Sequence, residues 1–383
     1  MLLAKIRKME TVLADLTTLY ADSKACARVV GLNYIEQEDA GFYRQRRGKG
    51  FSYRDAKGNI VTDKQIKQHI AELVIPPAWQ EVWICPSDNG HVLATGIDDK
   101  GRKQYIYHPK WRTMRDLIKF YRLLIFANAL PKIRQTVEAN LGKPAFDRDK
   151  VLAVMLWLLD NTYLRIGNEV YFETNESVGL TTLSSKHLIV AGSVSTLSFK
   201  AKSGKMQQIT FDDTRIAKAL SELAKTKQPR LFTYQEKDGH HTVESNDLNA
   251  YLHDLTGQSI SAKDFRTWGG TLLAFDHLVS TYKLPDEKTP KPDKVATEAI
   301  DAAADVLGNT RAVAKSSYVH PHILQAYAER DFAKYYETAR SKRARHGLDK
   351  RETELVTVLE QLFEHEFTLL KQRDATGSSR QPS

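Results

Sequence analysis

The chain has 383 residues, enough for two or three domains at about 150 residues each. Hydrophobic residues make up 42% and aromatics 9%, a core-forming composition that excludes wholesale disorder, collagen and low-complexity classes. Lysine and arginine outnumber aspartate and glutamate by 56 to 47, and the resulting formal charge of +9 favours a polyanionic partner, nucleic acid first.

Residues 1 to about 28 read as an amphipathic helix, because Leu2, Leu3, Ile6, Met9, Val12, Leu13, Leu16 and Leu19 recur at helical spacing. From 29 to 112 the pattern changes to short strands and turns. Phe51-Ser52-Tyr53 and Ile60-Val61 flank a turn-like Asp55–Asn59 and predict a hairpin. Ile75-Pro76-Pro77-Ala78-Trp79 must be extended, since proline fixes φ and disfavours helix before it. Val82-Trp83-Ile84, His91–Gly96 and Arg102–Tyr107 follow as strands. With a period of two, Lys103, Tyr105 and Tyr107 share one basic and aromatic face.

From 113 to 340 helices dominate. One apolar helix covers 149–165, with Gly167-Asn168 as its stop signal. A hairpin runs from Ser195 to Lys202 and from Lys205 to Phe211, turning at Ser203-Gly204. Ser261-Ala262-Lys263-Asp264 fits a capping box at the start of another helix. Pro285–Lys294 reads as an exposed linker, and helix Val295–Leu307 stops at Gly308-Asn309. In the remaining segment, 341–383, a helix carrying Leu355, Val358, Leu359, Leu362 and Phe363 precedes a polar tail from Asp374, expected to be disordered.

No apolar stretch approaches the roughly 20 residues of a membrane span, and the start, Met1–Lys8, has neither the apolar core nor the cleavage site of a secretory signal. Two cysteines, Cys26 and Cys85, can form neither a disulfide framework nor a thiolate zinc site. A soluble protein of a reducing compartment is expected. There is no Walker-type or dinucleotide-type glycine loop. His240-His241 and His320-Pro321-His322 lack zinc-site spacing and read as surface or packing histidines.

Chemistry gathers in four segments: Tyr163-Leu164-Arg165-Ile166-Gly167-Asn168-Glu169, Phe199–Lys205, Lys263–Thr271, and Leu307–Arg311 continuing through Lys315–Pro321. In this order they resemble the catalytic segments of type IB DNA topoisomerases, in the short form of bacteria and poxviruses. Gly48–Tyr53, Ile75–Trp79 and Gly101–His108 are similar to the amino-terminal β-domain of the bacterial enzymes, so the resemblance spans about residues 30 to 335. Singly, each residue has a bland reading: Arg165 as a helix-end cation, Lys202 as a solubility residue, Asn309 as a C-cap, Tyr318 as one tyrosine among 16. Seven motifs in register outweigh those readings.

The resemblance implies an α+β protein in which a small antiparallel sheet domain precedes a mostly helical catalytic domain with a β-hairpin, forming a C-shaped DNA clamp. It makes Tyr318 the nucleophile, giving a 3′-phosphotyrosyl link and a free 5′-hydroxyl. Arg165 and Arg266 fall on the positions that stabilise the phosphorane, and Lys202 on that of the general acid, with Lys200 and Lys205 as rivals. Many members carry histidine nine residues before the tyrosine; Asn309 stands there, able to donate a hydrogen bond but not a proton. Lys263, three before Arg266, is where tyrosine recombinases usually have histidine. DNA contacts are expected from Lys49, Arg102, Lys103, Gln104, Tyr105, Tyr107 and Lys263, mainly to phosphates. The implied function is ATP-independent relaxation of duplex DNA by a cytoplasmic, nucleoid-associated monomer. No cofactor and no obligate protein partner is required, and magnesium at most stimulates turnover. A tyrosine recombinase and a non-catalytic duplex-binding protein are the alternatives.

Overall fold

The computed structural model describes residues 18–36, 40–48, 50–144, 146–282 and 291–377. Most of the expected first helix, Lys49, residues 283–290 of the linker region and the end of the tail lie outside the described residues. The chain divides into two compact units between Arg122 and Leu123.

In the first unit a short helix, α1 (Ser23–Val29), precedes strands β1 (Phe42–Arg47) and β2 (Gly50–Arg54), helix α2 (Lys64–Glu72), and strands β3 (Gln80–Ile84), β4 (Val92–Ile97) and β5 (Lys103–Tyr107). The strands form one antiparallel sheet in the order β2-β1-β3-β4-β5. Alternation sorts its two faces. Phe42, Val82, Ile84, Ala94 and Ile106 pack with Ile66 and Ile70 of α2. Tyr43, Trp83, Thr95, Lys103, Tyr105 and Tyr107 line the concave other face. Both cysteines are buried and neither forms a disulfide.

The expected pairing of Phe51–Tyr53 with Ile60–Val61 forms only as a short arm. Strand β2 makes its full ladder with β1, from Tyr43↔Arg54 to Arg47↔Gly50, while the expected arm adds an antiparallel bridge between Arg54 and Ile60 and the Val61 N–H donating to the Tyr53 carbonyl at 2.9 Å. The turn itself forms, closed by the Asp55 carboxylate accepting from the N–H groups of Lys57 and Asn59 at 2.9 and 2.8 Å. The chain then leaves the sheet because Asp63 caps α2, accepting from the N–H of Gln65 at 2.7 Å. Arg44 donates to the carbonyls of Pro76 and Trp79 at 3.1 and 2.6 Å, so this strand residue fixes the proline segment.

Helix α3 (Pro109–Leu141) crosses the division, and the second unit continues with α4 (Arg148–Thr162) and α5 (Glu169–Asn175). A three-stranded antiparallel sheet follows, β6 (Leu188–Ala191), β7 (Val194–Lys200) and β8 (Met206–Asp212), then α6 (Thr214–Lys225). A second hairpin, β9 (Thr233–Glu236) and β10 (Gly239–Thr242), leads to α7 (Ser245–Thr256), α8 (Ala262–Thr281), α9 (Pro292–Leu307), α10 (Arg311–Ser317), α11 (Pro321–Ala328), α12 (Phe332–Arg340) and α13 (Lys350–Gly377). Helix α8 is central, burying Phe265, Trp268, Phe275 and Leu278 and packing against α4, α9 and α13. Its start is the expected one, with the Asp264 carboxylate accepting from the Ser261 N–H at 2.8 Å. An antiparallel sheet unit thus precedes a mostly helical unit, the expected α+β class. The tail departs from expectation at its beginning, since Asp374–Gly377 continue α13. Among the described residues no helix is long and apolar enough to cross a membrane.

Candidate active site

Helix α4 is buried from Val151 to Leu156 and again at Leu158 and Leu159, and it ends at Thr162, not at Arg165. Tyr163 turns the chain with φ 53° and ψ 30°, an uncommon conformation for a residue with a side chain. That turn takes Arg165 off the helix into a loop whose backbone is tied on the next segment. The Arg165 and Ile166 carbonyls each accept at 2.8 Å, from the N–H groups of Leu180 and Thr181. Gly167 and Gly179 pass so closely that a Cβ on Gly179 would lie 2.5 Å from Gly167 Cα.

Arg266 lies in the second turn of α8 and is only 3% exposed. Its two terminal nitrogens donate to carbonyls, Nη1 to Tyr163 and Nη2 to Leu307 at 2.9 Å. Burial, helped by the nearby Arg165 charge, pulls its guanidinium down to about 10, which still leaves it charged at neutral pH. Tyr318 caps the end of α10 and is 7% exposed. Its ring centroid lies 4.9 Å from the Arg266 guanidinium, and its Oη accepts from Arg165 Nη1 at 3.3 Å. Burial alone would raise the Tyr318 phenol, but the guanidiniums of Arg266 and Arg165 outweigh it and hold the phenol below the usual tyrosine range.

The backbone around Tyr318 is held by residues whose role the sequence reading did not assign. Thr271 Oγ1 donates to the Tyr318 carbonyl at 3.0 Å and accepts from the His320 N–H at 3.2 Å. A Cβ on Gly270 would lie 2.9 Å from both Tyr318 Cβ and the Tyr318 carbonyl oxygen, and one on Gly269 would overlap the Tyr163 ring. The Gly269-Gly270 pair is therefore the floor on which both tyrosines rest. Two adjacent glycines inside a helix, against their propensity, were the signal available in the sequence.

Asn309 follows Gly308, whose left-handed φ of 62° ends α9. Its Oδ1 accepts from Arg165 Nη2, which fixes the amide so that Nδ2 is the free donor. Asn309 Nδ2 and Arg266 Nε are both buried without a hydrogen-bond partner. An unmade buried donor costs about 1–3 kcal/mol, a cost that an incoming anionic oxygen removes. Arg165, Arg266, Asn309 and Tyr318 thus come together as one cluster from four separate segments.

Lys202 is not in that cluster. It sits exposed at the tip of the β7–β8 hairpin, in a short turn closed by the Ala201 N–H donating to the Lys205 carbonyl at 2.8 Å. The hairpin's second strand lies beside the cluster, since a Cβ on Gly308 would meet the Gln207 amide at 3.5 Å. Of the rivals, Lys200 pairs with Glu176 at 3.0 Å, whereas Lys205 is exposed. Lys263 is exposed in the first turn of α8.

In the sheet unit, Tyr105 and Tyr107 stack at 5.6 Å, and Lys103 Nζ lies 5.8 Å from the Tyr105 ring centroid. Arg102 and Gln104 converge on the turn: Arg102 Nη2 and Gln104 Nε2 donate to Asp98 Oδ2 at 2.6 and 2.9 Å. The Arg102 hydrogen bond holds the Asp98 carboxyl far below the usual carboxylate range. Among the described residues one group could offer metal ligands, Glu236, Asp238 and His241 at the β9–β10 turn. There the His241 imidazole and Asp238 already pair at 2.9 Å. His320 caps α11, its Nδ1 accepting from the His322 N–H at 3.3 Å.

Residues 108–345 match the family model of the eukaryotic DNA topoisomerase I catalytic core, and residues 50–98 match that of the bacterial DNA topoisomerase IB N-terminal domain. A DNA topoisomerase 1B of Acanthamoeba polyphaga mimivirus is 34% identical over 297 residues, covering 75% of this chain and 87% of the viral one. The DNA topoisomerase 1B of vaccinia virus (strain Copenhagen) is 24% identical over 278 residues, covering 71% and 82%. The DNA topoisomerase I of monkeypox virus is 23% identical over 275 residues, with the same coverage of 71% and 82%. A core match over more than half of the chain, joined to a bacterial-type first domain and a viral relative of this identity, places the chain in the type IB DNA topoisomerase family.

Proposed function

We propose that this topoisomerase relaxes both positive and negative supercoils without ATP, through a transient 3′-phosphotyrosyl link on one strand. The observation that carries the reading is the Tyr318 hydroxyl, hydrogen-bonded to Arg165 and set against the Arg266 guanidinium, with two buried donors beside it still unpartnered.

Tyr318 Oη attacks the scissile phosphorus, its proton passing to solvent, and the bond from phosphorus to the 5′-oxygen breaks. The phosphorane carries extra negative charge on its non-bridging oxygens. Arg165 and the free Nε of Arg266 meet that charge, and the Asn309 amide adds a neutral donor. The departing 5′-oxygen takes a proton from Lys202 at the hairpin tip. After the strand swivels, the 5′-hydroxyl attacks the phosphotyrosyl phosphorus and expels Tyr318. The covalent link conserves the phosphodiester's free energy, so neither nucleotide nor metal enters these steps, and magnesium acts only on product release. The enzyme works as a monomer on duplex DNA in the nucleoid. Lys103, Tyr105, Tyr107 and Lys263, with Lys49, contribute phosphate and groove contacts.

The test uses negatively and positively supercoiled plasmid in EDTA without ATP, with wild type beside Tyr318→Phe and an SDS quench. The reading expects both signs relaxed and a 3′-linked protein–DNA adduct that the variant cannot form. Binding without adduct, or relaxation that survives Tyr318→Phe, would overturn it.

A further inference from the structure

Helix α13 lies beyond the segment matched to the topoisomerase core, yet it packs on α8 and sends one buried carboxylate toward the cluster's supports. Glu352 is 2% exposed and accepts four hydrogen bonds. Two come from Arg134, Nη1 to Oε2 and Nη2 to Oε1, both at 2.7 Å. One comes from the Asp349 N–H at 2.9 Å and one from Trp268 Nε1 at 3.4 Å. The other side of Arg134 grips Asp160, Nε to Oδ2 at 2.7 Å and Nη2 to Oδ1 at 3.1 Å. Arg134 Nη1 also donates to the Gly347 carbonyl at 3.0 Å.

The location of these partners is what matters. Asp160 is in the last turn of α4, just before the left-handed Tyr163 from which Arg165 departs. Trp268 is two residues after Arg266 on α8. The two arms meet again at Tyr163, whose carbonyl accepts from Arg266 Nη1 and whose ring covers Gly269. Burial raises the Tyr163 phenol, and the charges of Asp160 and Glu352 add to that rise. A single side chain from the C-terminal helix therefore braces both arginine-bearing elements.

We propose that Glu352 is a positioning residue for Arg165 and Arg266, acting through Arg134, Asp160 and Trp268. The inference rests on the reading of those arginines as phosphorane stabilisers. Displacing a catalytic group by about 1 Å costs on the order of 100-fold in rate, so a loosened brace is felt in the chemical step before it is felt in DNA binding.

The experiment measures single-turnover cleavage by the full chain at saturating enzyme, with DNA affinity measured in parallel. Two substrates are compared, an ordinary phosphodiester and one whose scissile phosphate has a non-bridging oxygen replaced by methyl. The methyl substrate lacks the charge that the guanidiniums meet, so misplaced arginines cost less on it. Glu352→Gln should cleave the phosphodiester about 10- to 100-fold more slowly, bind DNA within about threefold of wild type, and recover at least about fivefold of its deficit on the methyl substrate. Glu360→Gln, on the same helix but contacting neither Arg134 nor Trp268, breaks its 2.7 Å pair with Arg345 and should cleave at the wild-type rate. Cleavage by Glu352→Gln within about twofold of wild type, or an equal deficit on both substrates, overturns the proposal. If Glu352→Gln does not fold, Asp160→Asn, which keeps the side-chain volume and removes the charge that Arg134 grips on the other arm, is judged by the same comparison, with a deficit of about three- to tenfold expected. Failure of wild type to form an adduct, or normal cleavage by Arg266→Ala, would instead sink the reading on which the proposal rests.

Discussion

At the scale of single residues, the nucleophile's acidity is the quantity that its neighbours control. Tyr318 is buried, which disfavours the phenolate, yet Arg266 and Arg165 reverse that sign and hold the phenol below the usual range. A depressed phenol is more ionised at any given pH, so the single-turnover cleavage rate should rise with pH and level off below pH ~10, the ordinary tyrosine value. In Arg165→Ala the midpoint should move upward, and the rate at neutral pH should fall by about 10²–10³-fold, as for a lost oxyanion donor. A midpoint that stays in place would remove Arg165 from the phenol's surroundings. Asn309 poses a narrower question, because its amide donates without carrying charge. Asn309→His should retain cleavage, while Asn309→Ala should lose it by about 10- to 100-fold, the scale of one missing donor. Equal rates for wild type and Asn309→Ala would take Asn309 out of the site.

At the scale of elements, the glycine pair of α8 decides how closely the two tyrosines approach that helix. Glycine in a helix interior costs about 0.5–1 kcal/mol relative to alanine, so propensity alone says that Gly270→Ala should stabilise. The added methyl would lie 2.9 Å from Tyr318 Cβ and its carbonyl oxygen, and overpacking of this kind costs about 1–3 kcal/mol. The net expectation is a lower melting temperature and slower cleavage for Gly270→Ala. Gly142→Ala, whose nearest neighbour would be at 3.5 Å, should show neither effect. The hairpin has its own test: on a 5′-bridging phosphorothiolate, whose leaving group needs no proton, Lys202→Ala should cleave at nearly the wild-type rate. A persisting deficit would show that Lys202 is not the acid. Elements with a clear period were legible in the sequence, including α8 with its capping box and α9 with its glycine stop. The cluster residues Arg165, Arg266, Asn309 and Tyr318 were legible only through the resemblance to type IB topoisomerases, since a helix-end cation, a C-cap and one tyrosine among 16 say nothing singly. Strand β1 was not, since Arg44, Gln45, Arg46 and Arg47 mask its alternation, and the turn after β2 pointed only to the short Ile60–Val61 arm and not to the longer ladder with β1. Arg102 and Gln104 illustrate a second limit: the sequence could not show their hydrogen bonds to Asp98, which bring both side chains onto the turn between β4 and β5.

At the scale of the whole chain, a surplus of nine positive charges says less than the pairing of the individual ions. Exposed pairs such as Lys24–Glu36 and Arg311–Asp301 are screened and contribute little to stability. The Arg134–Glu352 pair differs, because the Glu352 side chain is 3% exposed and its partner reaches it through two bonds. Burial alone would raise the Glu352 carboxyl, but the Arg134 guanidinium overcomes it and holds the group below the usual carboxylate range. A carboxyl depressed in the folded state contributes stability that is fully present above its unfolded value near 4.5. That contribution is lost as pH falls through the lower folded value. Breaking a buried pair from one side costs about 3–5 kcal/mol, so Glu352→Gln should be less stable than wild type by about that much at pH ~7. Below pH ~4.5 the difference should shrink, because wild type then gives up the same ionised carboxylate that the variant never had. Urea midpoints for the two proteins between pH ~3 and ~7 would read this directly. A gap that stays constant across that range would mean that Glu352 is not held ionised, and the C-terminal helix would then brace α4 and α8 by shape alone.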